Sequence, residues 1–433
     1  MNIRRKNANQ VFNIEWRGDE DCGQTELHQY RECGGYIALT SALNCDPEQI
    51  IRSVQDAGLR GRGGAAFPTA LKMQGVRNNE ETERYVICNA DEGEPGTFKD
   101  RFVMTHLPFQ LLEGLTLAAY AVGASQGIIY IRFEYPEAQA MMKQSIAQAT
   151  QAGLLGDNIL GSGFSFHLTI FSGAGSYLCG EETALLSSLE GKKGRPRLKP
   201  PYPTQHGLWD KPTLINNVET LANIPPIVSK GAVWYRALGT SDSPGTKLIS
   251  LSGDVNNRGL YEVPFGMTFQ EIIDTCGGGI KGGRQIKAVN IGGASGVVVP
   301  PEELNCPLEY GACAKREITI GSGAIFVMDD TRSIIDNVKN RAAFFQHESC
   351  GKCTPCREGL RQVNRIIAKL HDGTALLEDL NRLERYTRTM QQAAFCGLGQ
   401  AAGNTLISSL SYFRSEYEAA CQDFVGDKKE ASA

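Results

Sequence analysis

The 433-residue chain carries 44 basic and 48 acidic residues for a formal net charge of -4, with 41% hydrophobic and 21% charged residues, the proportions of a folded globular protein rather than a disordered one. Its length exceeds what one hydrophobic core covers and points to roughly three domains. Near-balanced charge without a long basic run excludes the electrostatic footprint of a nucleic-acid binder, and the most apolar stretch, Leu111 to Ala124, is interrupted by Glu113 and Gly114 and is too short to span a bilayer.

In chain order, Met1 to Gln10 is basic but no apolar run follows, so it does not read as a secretory signal and a cytoplasmic location is expected. Asp46-Pro47-Glu48-Gln49 predicts a helix start, with Asp46 as N-cap and Pro47 in the first helical position; Ile50, Ile51 and Val54 form its apolar face. The helix runs into Gly58-Leu59-Arg60-Gly61-Arg62-Gly63-Gly64, a loop whose backbone can approach a ligand closely. A strand at Arg84 to Cys88 ends at the polar cluster Asn89-Ala90-Asp91-Glu92, the position at which open α/β sheets present ligand groups. A second strand, Ile128 to Ile131, precedes a helix from Pro136 to Gly153. A third, Phe166 to Phe171, leads through Gly173-Ala174-Gly175 to a helix from about Glu181. Alternation of strand and helix predicts a mixed or parallel sheet covered by helices. From Lys247 to Gly293 the texture changes to short strands and a small helix opened by the capping box Thr268 to Glu271. After Thr331 the apolar stripes have helical spacing, so a helical bundle closes the chain.

Thirteen cysteines in a chain expected in the cytoplasm read as metal ligands where they cluster. Nine are scattered (Cys22, Cys33, Cys45, Cys88, Cys179, Cys276, Cys306, Cys313, Cys421) and are expected to be free or buried thiols. Cys350, Cys353 and Cys356 place three thiolates within seven residues, and Cys396 follows at a distance. Iron-sulfur and zinc both take four thiolates, but three on one tight loop suit the corners of a cubane, whereas structural zinc more often uses two separated pairs. The glycine loop with Arg60, Arg62 and Lys72 could cradle a phosphate, although tight turns and solvated cations would explain it equally. Asn89, Asp91, Glu92 and Glu94 form a second polar group. A carboxylate in the run Gly173 to Glu182 could accept the 2'-hydroxyl of an NAD ribose or merely complement the helix dipole. Asn216-Asn217-Val218-Glu219-Thr220 reads as a third amide-rich turn, which an Asx-turn without a ligand would also explain.

Taken together, Gly58 to Pro68, Asn89 to Asp100, Gly173 to Glu190, Asn216 to Thr220 and Glu348 to Gly359 resemble the FMN-binding, NADH-oxidising subunit of bacterial respiratory complex I. Homologues of that family occur in NAD-linked soluble hydrogenases and formate dehydrogenases. The resemblance implies three regions: a Rossmann-like α/β FMN and NADH domain over 1–240, a β-grasp domain over 241–330, and a helical bundle carrying a [4Fe-4S] cluster over 331–433. It implies FMN held by Gly61, Arg62, Gly63, Gly64, Lys72, Asn89, Asp91, Glu92, Tyr177, Gly180, Glu181, Asn216, Asn217 and Thr220. NADH would have its adenine between Phe67 and Tyr202, its nicotinamide near Glu94 and its adenosine ribose on Glu182. The cluster would sit on Cys350, Cys353, Cys356 and Cys396. A thioredoxin-like [2Fe-2S] subunit and a further iron-sulfur subunit are the implied partners. The chain departs from the family pattern at Ala66, Met73, Gly75 and Phe133.

Overall fold

A computed structural model describes residues 10–12, 15–16 and 24–423; Cys22 and the stretch 1–9 lie outside the described residues. Among the described residues, ten strands form two sheets. The shorter sheet contains β2 (Tyr85–Ala90), β3 (Gln126–Ile131), β4 (His167–Ser172) and β5 (Thr213–Asn217) in the order β4-β3-β2-β5. All three pairings in it are parallel, so its strands are joined by helical crossovers. Those helices cover the sheet and keep its central strand apolar and buried.

The segment Asn216-Asn217, expected as a turn, instead ends the fourth strand, which begins with the β-favouring residues Thr213, Leu214 and Ile215. The apolar stretch noted in the sequence is the helix Pro108–Val122, in which every residue except Tyr120 is buried. An all-round apolar helix of this length belongs in a core. Gly114 lets it pack closely, since a methyl group there would stand 2.1 Å from the Leu221 carbonyl oxygen. Its one carboxylate, Glu113, accepts from the Tyr36 and Leu39 amides at 2.9 and 3.0 Å and from the Tyr30 hydroxyl. The helix expected from Asp46 spans Glu48–Ala57 with Pro47 in the N-cap position, one residue later than expected, and the Asp46 carboxylate accepts from the Glu48 amide at 3.0 Å.

The larger sheet has β1 (Glu15–Trp16), β6 (Thr246–Gly253), β7 (Gly259–Pro264), β8 (Ile286–Ile291), β9 (Val297–Val299) and β10 (Ala324–Asp329), in the order β1-β7-β6-β10-β8-β9. Only β6 and β10 pair in parallel. The capping box is present: the Thr268 hydroxyl accepts from the Glu271 amide at 3.1 Å and the Glu271 carboxylate accepts from the Thr268 amide at 2.8 Å. At the far edge, the Val298 amide donates to the Ser408 hydroxyl at 2.9 Å.

The chain closes with helices Ile334–Glu348, Thr354–His371, Leu377–Ala393, Asn404–Tyr412 and Arg414–Ala419. Their predicted stripes form one core that includes Ile334, Val338, Phe345, Leu360, Val363, Ile367, Leu380 and Leu383. Among the described residues, no helix is long and apolar enough to cross a membrane.

Candidate functional site: a cleft at the strand ends and a pocket of four thiols

In the four-stranded sheet the chain runs outward from β2 to β3 and β4, then returns to β5 on the other side of β2. The crevice beyond the carboxyl ends at such a reversal is where parallel sheets bind ligands. A cleft of about 690 Å³ lies there. Its floor is made by Asn89 of β2 and by Asn216 and Asn217 of β5, which pair in register as Cys88 with Asn216 and Asn89 with Asn217. Its roof is the glycine loop. Gly61 donates to the Phe67 carbonyl at 2.9 Å to close the loop, and Gly63 comes so close that a Cβ would stand 3.0 Å from the Cβ of Asn217.

Thirteen of the residues singled out from the sequence line this cleft: Gly61, Gly63, Gly64, Phe67, Lys72, Asn89, Gly180, Glu181, Glu182, Tyr202, Asn216, Asn217 and Thr220. Arg62, Asp91, Glu92, Glu94 and Tyr177 do not. The Arg62 guanidinium is buried and donates to the hydroxyls of Tyr235 and Tyr310 and to the Pro244 carbonyl; only its amide serves the site, donating to the Thr220 hydroxyl at 2.8 Å. Glu92 accepts from the Asp100 and Arg101 amides at 2.8 and 3.0 Å. It therefore caps a helix, and burial pushes its carboxyl up to about 7. Glu94 accepts from the Tyr177 hydroxyl at 2.5 Å and from the Ser295 amide at 2.7 Å; burial raises its pKa as well. Asp91 lies just beneath the cleft wall at Gly180, whose added Cβ would stand 3.8 Å from its Oδ2.

At one end of the cleft Glu182 is held by Lys72 at 3.0 Å and Lys199 at 2.8 Å. Burial pushes its carboxyl up, but the two lysines outweigh that and hold it below the usual range. Glu181 accepts from the Thr183 and Ala184 amides at 2.9 Å each and pairs with Lys199, so two carboxylates and two lysines balance locally. Lys199 was missed in the sequence, where it stands in a proline-rich loop without a motif; the acidic pair opposite it was the only hint.

Cys350, Cys353, Cys356 and Cys396 line one pocket with Leu178, Pro196, Lys352 and Phe395. Cys353 and Cys396 stand immediately before the helices Thr354–His371 and Gly397–Ala401. The Cys353 sulfur accepts from the Phe395 amide at 3.4 Å. Lys352 covers the rim, with its ammonium 3.9 Å from the Phe395 ring centre and 2.6 Å from the Pro196 carbonyl oxygen. Tetrahedral zinc would draw sulfurs to roughly 3.8 Å of one another. Among the described residues no three Cys, His, Asp or Glu side chains converge on a single-ion site, and the four thiols share one pocket. Of the described scattered cysteines, Cys45, Cys88, Cys179, Cys306, Cys313 and Cys421 are free thiols.

The chain is 46% identical over 394 residues to an F-type NADH-quinone oxidoreductase protein of Rhizobium meliloti (strain 1021), covering 91% of this chain and 94% of that one. It is 43% identical over 409 residues to the F-type NADH-quinone oxidoreductase protein of Escherichia coli (strain K12), covering 94% and 92%. The chain belongs to the F-type family of NADH-quinone oxidoreductase subunits. Family models match in three places: the Nuo51 FMN-binding domain over residues 54–226, the SLBB domain over 248–299, and the NADH-ubiquinone oxidoreductase-F iron-sulfur binding region over 336–420. Another relative is the HndC protein of the NADP-reducing hydrogenase of Solidesulfovibrio fructosivorans, 42% identical over 403 residues, 93% of this chain and 81% of that one. Among solved structures, a chain of NAD+-reducing [NiFe]-hydrogenase in the H2-reduced state superposes with a TM-score of 0.81 at 43% identity; the match covers 90% of this chain but only 65% of that chain.

Membership makes FMN and a [4Fe-4S] cluster the cofactors of this chain, and the residues present fit both. Asn216 has a buried amide nitrogen and Asp91 a buried carboxylate oxygen with no partner in the protein, one donor and one acceptor suited to a ligand rich in hydroxyl and ring N-H groups. On the roof a Cβ at Gly63 would stand 3.0 Å from the Cβ of Asn217, and glycine there lets the backbone come close, as phosphate-binding loops require. The four soft ligands of the thiol pocket match an iron-sulfur cluster.

Proposed function

We propose that the chain oxidises NADH as a subunit of a larger cytoplasmic redox complex. FMN, when bound, supplies the conversion between a two-electron hydride and the single electrons that a [4Fe-4S] cluster carries. The carrying observation is one short turn, Tyr177–Gly180: Gly180 lines the cleft and Leu178 lines the thiol pocket. Two residues of extended chain reach at most about 7 Å, so the flavin and cluster sites abut.

In this reading the glycine-loop amides receive the FMN phosphate, while Asn89, Asp91, Asn216 and Asn217 hold or frame the rest. Phe67 and Tyr202, about half exposed at the cleft mouth, offer their ring faces to adenine, and Glu182 accepts the ribose hydroxyl. Glu94, held by the Tyr177 hydroxyl and the Ser295 amide, is the carboxylate proposed to lie near the nicotinamide. A thioredoxin-like [2Fe-2S] subunit and a second iron-sulfur subunit take the electrons onward. Anaerobic NADH added to chain loaded with FMN and cluster is expected to bleach the flavin absorption and produce a reduced-cluster EPR signal; no bleaching would overturn the reading.

The likeness to the hydrogenase chain and to HndC favours a second reading, in which the same sites run toward nucleotide reduction inside a soluble hydrogenase or formate dehydrogenase. Reduction of NAD+ by the chemically reduced protein, faster than NADH oxidation under matched conditions, would support it.

A further inference from the structure

A network of charges lies outside the cleft, fully enclosed between the two sheets. Glu219, in the short helix Val218–Ala222, accepts on Oε2 from Lys99 at 3.1 Å and from Lys247 at 2.5 Å, and on Oε1 from the Leu248 amide at 2.9 Å. Lys99 also holds Asp100 at 2.6 Å and the Asn217 carbonyl oxygen at 3.2 Å. Asp100 in turn accepts from the Asn217 amide nitrogen at 2.7 Å. The Asn217 carbonyl oxygen also accepts from the Glu219 amide at 3.0 Å. Every polar atom of the Asn217 side chain is thus committed to this network, and it is the Cβ of Asn217 on which Gly63 rests. Next to Glu219, Thr220 accepts from the Arg62 amide of the glycine loop. Lys99, Lys247 and Glu219 are each 0% exposed.

We propose that Lys247, on β6 of the larger sheet and outside the cleft, is a positioning residue for the FMN site, acting through Glu219 on Asn217 and Thr220. The inference rests on the flavin reading of the cleft and extends it to the other sheet. Enclosed ion networks do little for stability, since apolar replacements of similar volume are often as stable. What a network of short, directional contacts does supply is a fixed geometry, and here that geometry ends on the cleft floor. Burial pulls the Lys247 ammonium down to about 8, with Glu219 opposing. Removing a buried cation also leaves the region more negative, which disfavours adding electrons to a flavin nearby.

The test uses the full chain stripped of FMN, with Lys247→Met and, as a variant that keeps a donor to Glu219, Lys247→Gln. FMN affinity is read by quenching of flavin fluorescence, the FMN midpoint potential by optical redox titration, and the fold by thermal denaturation. Loss of the charge-assisted contact to Glu219, which braces the floor through Lys99 and Asn217, predicts FMN binding about tenfold weaker in Lys247→Met, a lower midpoint potential, and an intermediate Lys247→Gln. If Lys247→Met does not fold, Lys247→Gln decides by the same two flavin readouts. Unchanged affinity and potential with only a lower melting temperature would overturn the proposal while leaving the flavin reading intact. A wild-type chain that binds no FMN would overturn both.

Discussion

The sheet-bearing region and the helical region bury different things. Before residue 331 the core encloses Lys99, Asp100, Glu113, Glu219 and Lys247, whereas after it the one buried carboxylate among the described residues is Asp379, which pairs with Lys369 at 3.1 Å. The cleft is assembled from segments between Gly61 and Thr220 and held in register by long-range polar contacts. The thiol pocket takes three cysteines from seven consecutive residues and a fourth from the start of a neighbouring helix. Damage to the pocket should therefore be local and complete, and damage to the cleft graded.

The sharpest test of that contrast is Cys353→Ala. Loss of one of four thiolates should abolish the reduced-cluster EPR signal while FMN fluorescence titration still shows binding; an unchanged signal would remove Cys353 from the ligand set. Next in size is Glu182→Gln. A hydrogen bond to a charged group is worth roughly 1.5 to 3 kcal/mol, so ten- to a hundredfold of NADH preference rides on this carboxylate. Because Lys72 and Lys199 already compensate its charge, the lower end of that range is expected. Steady-state kcat/KM for both nucleotides checks it: the NADPH value should rise relative to the NADH value, and equal falls in both would make Glu182 a helix-start residue only.

A smaller effect separates Asp91 from its neighbours. Burial pushes its carboxyl up to about 7 from an ordinary 3.8, so the folded, FMN-free chain binds a proton that the unfolded chain has released. Stability attributable to this group is then greatest below pH 4 and falls as pH rises to 7, by at most about 4 kcal/mol. Asp91→Asn should flatten that part of the pH dependence in urea titrations of the FMN-free protein and stabilise it at neutral pH. A parallel slope in the variant would contradict the assignment. The smallest effect is expected at Ala66, which adopts a φ of 52°. Left-handed backbone costs an alanine roughly 1 to 2 kcal/mol, and glycine gives back about 0.5 to 1 kcal/mol through unfolded-state entropy. Ala66→Gly should raise Tm by about 1 °C, measurable by calorimetry, and a fall would show that the strain is absorbed elsewhere.

The legible parts of the sequence were those where one short segment carries its own reason. The cysteine spacing, the capping box at Thr268 to Glu271, the stripes of the bundle and the first three strands of the parallel sheet needed no distant partner. The fourth strand was hidden because its last two residues, Asn216 and Asn217, read as turn formers; what makes them a strand end is pairing with β2, more than a hundred residues earlier. Nor could sequence sort the acidic run after β2. Successive residues leaving a strand face opposite ways, so Glu92 goes to cap a helix while Asp91 lies against the cleft wall, and Glu94 reaches across to Ser295. The same long-range logic turns Arg62 from a phosphate candidate into a buried brace.

The larger sheet also governs how copies of this chain meet in a crowded cell. An open strand edge is a template for pairing with another chain. Here one edge is taken by the two-residue strand Glu15–Trp16 paired to β7, and the Val11 and Phe12 amides beside it donate to the Glu262 carboxylate of β7 at 2.6 and 3.0 Å. The opposite edge, β9, is only three residues long, and its Val298 amide is occupied by Ser408 of the helical region. Among the described residues neither edge offers a long row of free donors, so the N-terminal segment and the helical region guard the sheet against edge-to-edge pairing.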